Sequence, residues 1–338
     1  MQNNITTSSS SLTPLSILAM EDEIKRMRRE MNAVILAHYY QNDDLQDIAD
    51  FVGDSLDLAR KAASTDADVI VFCGVKFMAE GAKILNPSKK VLLPDMKAGC
   101  SLETSCPAPA FAEFRAAHPE HIAVTYINCS ADVKALTDII VTSSNAEAII
   151  AQIPANQPII FAPDKHLGAY LAKKTGREML LWDGSCMVHE RFSEIELIKL
   201  KVAHPNAHII AHPECPEALL KHAHHIGSTS SLLKFTEANP ASEFIVLTES
   251  GIIHQMRQRS HGSMFYDVPM LLENNVLEGG QNEVGCAMCN QCPYMKMNTI
   301  EKLYLCMKHQ TPELHMPTKL MEQARKPLQR MLEMSVGV

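Results

Sequence analysis

No apolar run in this sequence approaches the roughly 18 residues that a membrane-spanning helix needs. Residues 1–18 contain no Lys or Arg and no continuous apolar stretch, so they lack the features of a signal peptide. They are rich in Ser, Thr and Asn, and we expect residues 1–20 to form a disordered polar tail. A basic excess is also missing, since the formal net charge is -8, which argues against nucleic acid as the main partner. We therefore expect a cytoplasmic protein that binds neither membrane nor nucleic acid.

Ten cysteines stand out in a protein expected in a reducing compartment. They are scattered along the chain, apart from one tight cluster near the C-terminus. Such cysteines are more typical of buried thiols or metal ligands than of a disulfide framework.

Short apolar runs of the kind that form buried parallel strands recur in three sets. The first runs cover residues 33–37, 122–127 and 207–211, the second 68–72, 158–161 and 243–247, and the third 90–93, 178–181 and 264–267. Equivalent runs in successive copies, such as those at 33–37, 122–127 and 207–211, are offset by roughly 85 to 90 residues, which indicates an internal repeat. Helical patterns lie between the runs, at 54–63, 75–85, 165–175 and 230–237.

This pattern predicts three similar doubly wound parallel α/β domains with pseudo-threefold symmetry, over residues 21–118, 119–204 and 205–312. A helical extension over residues 313–338 follows. The alternative is a three-domain α/β enzyme with unrelated parts.

Polar pairs follow the first strand of each repeat, where an apolar strand end is the ordinary outcome. The two members of each pair are two residues apart and so leave the same face: His38 with Tyr40, Tyr126 with Asn128, and His212 with Glu214. Because parallel α/β units bind ligands at the carboxyl ends of their strands, these pairs indicate a binding site.

Hydroxyl side chains occur where the next helix of each repeat begins, at Ser55, Ser143 and Thr229, the last of which follows Ser228. Plain helix capping is one interpretation of such residues. The other is that three helix N-termini converge and offer N–H groups and positive dipole ends to a phosphate or to carboxylates.

Cysteines follow the third strand of each repeat. Cys100 and Cys186 stand there in the first two repeats, and the longer third connection contains Cys286, Cys289 and Cys292. One cysteine per repeat would place three thiolates around the pseudo-threefold axis. A [4Fe–4S] cluster normally takes four cysteines, so three would leave one iron open to act as a Lewis acid. A local site formed by all three C-terminal cysteines is the alternative.

Several segments together resemble the quinolinate synthase family, the A protein of de novo NAD biosynthesis. They run from about residue 20 to 310 and are 37–41 (AHYYQ), 53–55 (GDS), 74–80 (GVKFMAE), 126–128 (YIN), 163–168 (PDKHLG), 212–215 (HPEC) and 297–304 (MNTIEKLY).

This resemblance implies three α/β domains around a central [4Fe–4S] cluster with one open iron, held by Cys100, Cys186 and Cys292. Cys286 and Cys289 would then be a redox-labile pair. It also implies condensation of iminoaspartate with dihydroxyacetone phosphate to quinolinate, phosphate and water, and a transient contact with the L-aspartate oxidase that supplies iminoaspartate. The implied substrate site contains His38, Ser55, Tyr126, Asn128, Ser143, His212, Glu214 and Thr229, with Tyr40, His212 and Glu214 as candidate acids, bases or gates.

Two other functions compete with this interpretation. An iron–sulfur hydro-lyase would use the open iron only to remove water from a small carboxylic acid. An electron carrier, or a protein with a purely structural metal, is disfavoured because neither has a use for convergent histidines, a glutamate and helix-start hydroxyls.

Overall fold

The computed structural model describes residues 16–270 and 290–337. Within this range the chain forms three four-stranded sheets, in each of which all paired strands are parallel. The long central strands are buried on both faces, which explains their continuous apolar sequence. The predicted class of three similar parallel α/β units is confirmed. None of the helices in the described range has both the length and the apolar character needed to cross a membrane.

The first unit begins with a helix that starts at Ile17, where the Ser16 side chain accepts a hydrogen bond from the Ala19 N–H. Residues 17–20 of the predicted polar tail therefore belong to this helix. The elements of the unit are α1 (Ile17–Glu30), β1 (Ala33–His38), α2 (Asp43–Ile48), β2 (Phe51–Gly53), α3 (Ser55–Ser64), β3 (Val69–Cys73), α4 (Lys76–Leu85), β4 (Lys90–Leu92), α5 (Ser101–Ser105) and α6 (Ala108–Ala116).

The second unit repeats this order of strands. Its elements are β5 (Ile122–Tyr126), α7 (Ala131–Ala135), β6 (Ile139–Val141), α8 (Ala146–Ala151), β7 (Ile159–Ala162), α9 (Lys165–Thr175), β8 (Met179–Leu181), a 3₁₀ turn (His189–Arg191) and α10 (Glu194–Ala203).

The third unit and the C-terminal helices follow. They comprise β9 (His208–Ala211), α11 (Glu217–Leu220), β10 (His225–Ile226), α12 (Thr229–Ala238), β11 (Glu243–Leu247), α13 (Ile252–Arg259), β12 (Met264–Asp267), a 3₁₀ turn (Met295–Met297), α14 (Ile300–His309) and α15 (Thr318–Met334).

Each sheet has the same strand order, with the second strand at one edge, then the first, third and fourth. The predicted unit of three strands was incomplete, because β2, β6 and β10 were missed. These strands are only two or three residues long, which is below the length at which an apolar run indicates a strand. Their function in the fold is to place the start of the following helix beside the end of the first strand.

The C-terminal helices pack on the earlier units. Helix α14, which the sequence assigned to the third repeat, buries Leu303 and Met307 against Ile24 and Met27 of α1. Helix α15 packs on α4, α7 and β6, and its buried residues join a core shared by the first and second units. The third unit has its own cores on the two faces of its sheet.

Candidate active site

One cavity lies where the carboxyl edges of the three sheets meet. Its lining combines apolar side chains with a few convergent polar groups, which is typical of a small-molecule site. All twelve predicted site residues line it, and they are His38, Tyr40, Ser55, Cys100, Tyr126, Asn128, Ser143, Cys186, His212, Glu214, Thr229 and Cys292.

The three cysteines occupy equivalent backbone positions. In each case the carbonyl oxygen of the cysteine accepts a hydrogen bond from the N–H four residues later, at 3.0 Å for Cys100, 3.0 Å for Cys186 and 3.1 Å for Cys292. Each cysteine thus opens a helical turn, and the repeat carries its thiol to the cavity in the same way.

The connections that carry the cysteines contact one another. The Met187 N–H, next to Cys186, donates to Ser101 Oγ, next to Cys100, at 3.0 Å. Gly184 permits this close approach, since a Cβ at that position would lie 2.4 Å from Ser105 Oγ and from the Pro163 carbonyl oxygen. The short Asp-Gly-Ser-Cys connection therefore needs glycine for steric reasons.

The surroundings of the thiols fit thiolate ligands of a metal group. Backbone N–H groups point at all three sulfur atoms, namely those of Leu102 and Glu103, of His189, and of Tyr294 and Met295. Such N–H groups stabilise metal-bound sulfur. Burial raises the pKa of the Cys292 thiol to about 11 and raises those of Cys100 and Cys186 further, so deprotonation of these buried thiols goes together with binding of a cation.

Two histidines present the same nitrogen to the cavity. The Tyr40 N–H donates to His38 Nδ1 at 3.1 Å, and the Glu214 N–H donates to His212 Nδ1 at 3.3 Å. Because Nδ1 accepts in both rings, the neutral tautomer carries its proton on Nε2. His212 Nε2 lies 3.2 Å from Ser143 Oγ. In both motifs the backbone N–H two residues after the histidine therefore orients the imidazole ring.

Glu214 is the centre of a buried hydrogen-bond network. Its Oε1 accepts from Tyr126 Oη at 2.6 Å, and its Oε2 lies 3.0 Å from His189 Nδ1. Although burial raises the pKa of a carboxyl group, the nearby His189 and His212 and the hydrogen bonds from His189 and Tyr126 hold the pKa of Glu214 below its usual range. Burial raises the pKa of Tyr126 and Tyr40 well above the usual value, so both phenols stay protonated.

The three helix starts meet directly. The Ser144 hydroxyl lies 2.6 Å from Asp54 Oδ2 and 2.8 Å from Ser228 Oγ, which joins residues of all three units. Ser55 and Thr229 are the first residues of their helices. The prediction for Ser143 needs correction, since α8 begins three residues later, at Ala146. Ser143 instead lies in a turn in which the Ala146 N–H donates to the Thr142 carbonyl oxygen at 3.0 Å.

Three residues of the site, His189, Thr248 and Glu249, are not among those that the sequence analysis assigned to it. His189 bridges Cys186 and Glu214, since a ring nitrogen of His189, the Cys186 sulfur and a Glu214 carboxylate oxygen all lie within 4.8 Å of one another. Thr248 and Glu249 come directly after β11, the second predicted strand of the third repeat. The rule that polar residues at strand ends mark the site would have found them if it had been applied to the second strands as well as the first.

Glu249 supports the segment that carries Cys292. Its Oε1 accepts from the Cys292 N–H at 3.1 Å and lies 3.3 Å from Lys296 Nζ, and its Oε2 accepts from the Gly251 N–H at 2.7 Å. The carboxylate is fully buried, while the Lys296 side chain is 15% exposed. Burial raises the pKa of Glu249, and Lys296 opposes that shift.

Removal of Glu249 leaves a largely buried cation without its partner. We expect Glu249→Ala to lower the free energy of unfolding by about 3–5 kcal/mol, measured by denaturant unfolding. The control is Glu217→Ala, which removes the exposed 3.1 Å pair with Lys173 and should leave the free energy of unfolding nearly unchanged. Equal losses in the two variants would show that burial of Glu249 has no energetic consequence.

The buried histidines make stability depend on pH. Burial lowers the pKa of His38 and of His212 from 6.5 to about 3. Between these values the unfolded chain binds more protons than the folded protein, so the free energy of unfolding falls as the pH is lowered below about 6.5. Each histidine contributes at most about 1.4 kcal/mol per pH unit.

We therefore expect denaturant unfolding at about pH 7 and about pH 5 to show a marked loss of stability. The loss should be smaller in the double variant His38→Gln/His212→Gln. The exposed His309→Gln variant should follow the wild-type curve. A double variant with the wild-type pH dependence would refute this account.

The remaining cysteines divide into two groups. Five thiols are buried, which confirms the prediction that they are small residues of the core. They are Cys73, Cys106, Cys129, Cys215 and Cys306. Cys286 and Cys289, the proposed redox-labile pair, lie outside the described residues.

Comparison with known proteins agrees with this geometry. A family model described as Quinolinate synthetase A protein matches residues 22–333. A protein of Nostoc punctiforme named quinolinate synthase is 58% identical over 323 residues, covering 96% of this chain and 95% of the relative. Proteins of the same name from Ehrlichia chaffeensis and Microcystis aeruginosa are 57% and 59% identical, covering 95% and 92% of this chain and 99% and 94% of their own lengths. The chain therefore belongs to the quinolinate synthase family.

Proposed function

We propose that this protein condenses iminoaspartate with dihydroxyacetone phosphate to give quinolinate, phosphate and water, with a [4Fe–4S] cluster as cofactor. The observation that carries the proposal is one cavity in which three equivalent thiols face histidines, a buried glutamate and the hydroxyl residues Ser55, Ser143 and Thr229. Membership in the family supports the same reaction.

Cys100, Cys186 and Cys292 are the proposed ligands of the cluster. When bound through three cysteines, the cluster supplies one open iron, which acts as a Lewis acid toward a substrate oxygen or nitrogen. Asn128 Oδ1 is buried beside the cavity and has no hydrogen-bond partner among the described residues, so it is available to a ligand. The Cys186, His189 and Glu214 group could by itself hold a single ion. Two further thiols in the same cavity favour a cluster.

The anionic groups of the substrates need donors, which the helix starts offer. Ser55, Ser143 and Thr229 line the part of the cavity where residues of the three units meet at Ser144. Their hydroxyls and the N-terminal N–H groups of α3 and α12 suit phosphate or carboxylate oxygens. We assign these residues to the binding of substrate oxygens.

The reaction needs tautomerisation, loss of phosphate and two dehydrations, and each step moves protons. His38 and His212 are neutral at neutral pH and can move a proton at Nε2. Tyr40 is a protonated phenol at the cavity wall. Glu214 stays ionised, so it is a weak base, and we assign it the tasks of holding Tyr126 and His189 and stabilising positive charge that develops on the substrate nitrogen.

Anaerobic reconstitution followed by an assay with iminoaspartate and dihydroxyacetone phosphate tests this proposal. Formation of quinolinate, with one phosphate released per quinolinate, supports it. Release of water from a small hydroxy acid without quinolinate would indicate the hydro-lyase instead. Iron that undergoes redox change without turnover would indicate a carrier.

A further inference from the structure

Thr248 joins two cavity residues that belong to different units. Its Oγ1 lies 2.8 Å from Tyr40 Oη and 3.0 Å from His189 Nε2. Thr248 is fully buried at the end of β11, while Tyr40 and His189 both line the cavity. One hydroxyl therefore fixes the inner ends of two side chains that face the substrate site.

The partners of His189 hold its ring from two sides. A carboxylate only accepts, so His189 Nδ1 donates to Glu214 Oε2. The other ring nitrogen, Nε2, is held by the Thr248 hydroxyl at 3.0 Å.

The chain of hydrogen bonds continues to the helix start of the third unit. Tyr40 Oη also lies 3.0 Å from Thr229 Oγ1. The hydrogen bonds therefore run unbroken from Glu214 to Thr229, and Thr248 is the link between the His189 half and the Tyr40 half.

We propose that Thr248 is a positioning residue for the reaction, which holds the His189 ring and the Tyr40 phenol in place through one hydroxyl. This inference rests on the proposed function, because it assumes that the substrates occupy the same cavity. Misplacing a reacting group by about 1 Å can cost up to about a hundredfold in rate. We therefore expect a large effect of changing Thr248, although it lies outside the segments that carry the family resemblance.

A pair of substitutions separates the hydroxyl from the shape of the side chain. Thr248→Val keeps the shape and removes the hydroxyl, and we expect kcat to fall by about ten- to a hundredfold with a smaller change in KM. Thr248→Ser keeps the hydroxyl and should retain kcat within about threefold. The matched control is Thr236→Val, since Thr236 is equally buried but its hydroxyl donates, among the residues that the structure describes, to the Leu233 carbonyl oxygen of its own helix and to no cavity residue. That variant should lose stability and keep kcat.

A double variant tests whether Thr248 acts through Tyr40. If it does, Tyr40→Phe/Thr248→Val should lose less activity than the product of the two single losses, because both changes break the same hydrogen bond. Multiplicative losses, or a Thr248→Val variant as active as Thr236→Val, would overturn the proposal.

Crystal structures of the two Thr248 variants give a readout that does not need the reaction. Displaced Tyr40 and His189 side chains in Thr248→Val, but not in Thr248→Ser, support positioning even if the wild-type protein makes no quinolinate and the proposed function fails. Unmoved side chains in Thr248→Val refute it even if the wild-type protein makes quinolinate.

Discussion

Cys100→Ser, Cys186→Ser and Cys292→Ser should each lose most of the bound iron and the visible absorbance of the cluster. The three thiols occupy equivalent positions in one cavity, so no other residue in the described part of the chain replaces the lost ligand in the same geometry. Activity should fall by at least about 10²- to 10³-fold, because the Lewis acid contributes several kcal/mol. Iron content per chain and absorbance after anaerobic reconstitution measure the result.

Two kinds of control separate ligand loss from general damage. Cys306→Ser changes a buried thiol in α14 and should keep iron and absorbance while losing some stability. Cys286→Ser and Cys289→Ser should also keep both. If Cys286→Ser removes the iron while Cys186→Ser does not, the metal is held by the local C-terminal trio and the central assignment fails.

The sequence predicted the fold well where the signal was local. All nine predicted apolar runs became strands, and the helix predicted at 165–175 has the observed bounds because Asp164 caps its start and Gly176 ends it with φ 66°. The edge strands β2, β6 and β10 were not predictable in this way, since two or three residues become a strand only through pairing with the first strand. The packing of α14 on α1 could not be predicted either, because the sequence of an amphipathic helix shows that it has an apolar face but not which surface packs against that face.

The repeat predicted the site better than any single motif. In every unit the same 17 positions separate the residue at the end of the first strand from the hydroxyl residue that follows the short edge strand (38 and 55, 126 and 143, 212 and 229), so equivalent residues reach one cavity. Thr248 and Glu249 were not predicted as site residues because the other two repeats have no equivalent polar pair. Directly after their second predicted strands these repeats have Gly74 and Pro163. Residues that serve one copy only leave no periodic signal.

Glu214→Gln should lower kcat/KM by about 10²- to 10³-fold, the range for removal of one preorganised electrostatic group from an active site. The Gln side chain has nearly the same shape, but one of its ends is an NH₂ donor. That donor cannot accept from Tyr126 Oη, which is 2.6 Å from Oε1, or from His189 Nδ1, which is 3.0 Å from Oε2.

Two further variants separate the negative charge of Glu214 from its hydrogen bonds. Tyr126→Phe keeps the charge and removes one charge-assisted hydrogen bond, so its expected loss is smaller, about 10- to 100-fold. Glu80→Gln changes another buried carboxylate, which accepts from the Ala131 N–H at 2.9 Å, and should reduce stability without lowering kcat. Steady-state kinetics and denaturant unfolding of the three variants, each with its iron content matched, measure the effects. A Glu214→Gln enzyme with wild-type kcat/KM, or one no slower than Tyr126→Phe, would show that the reaction does not use this charge.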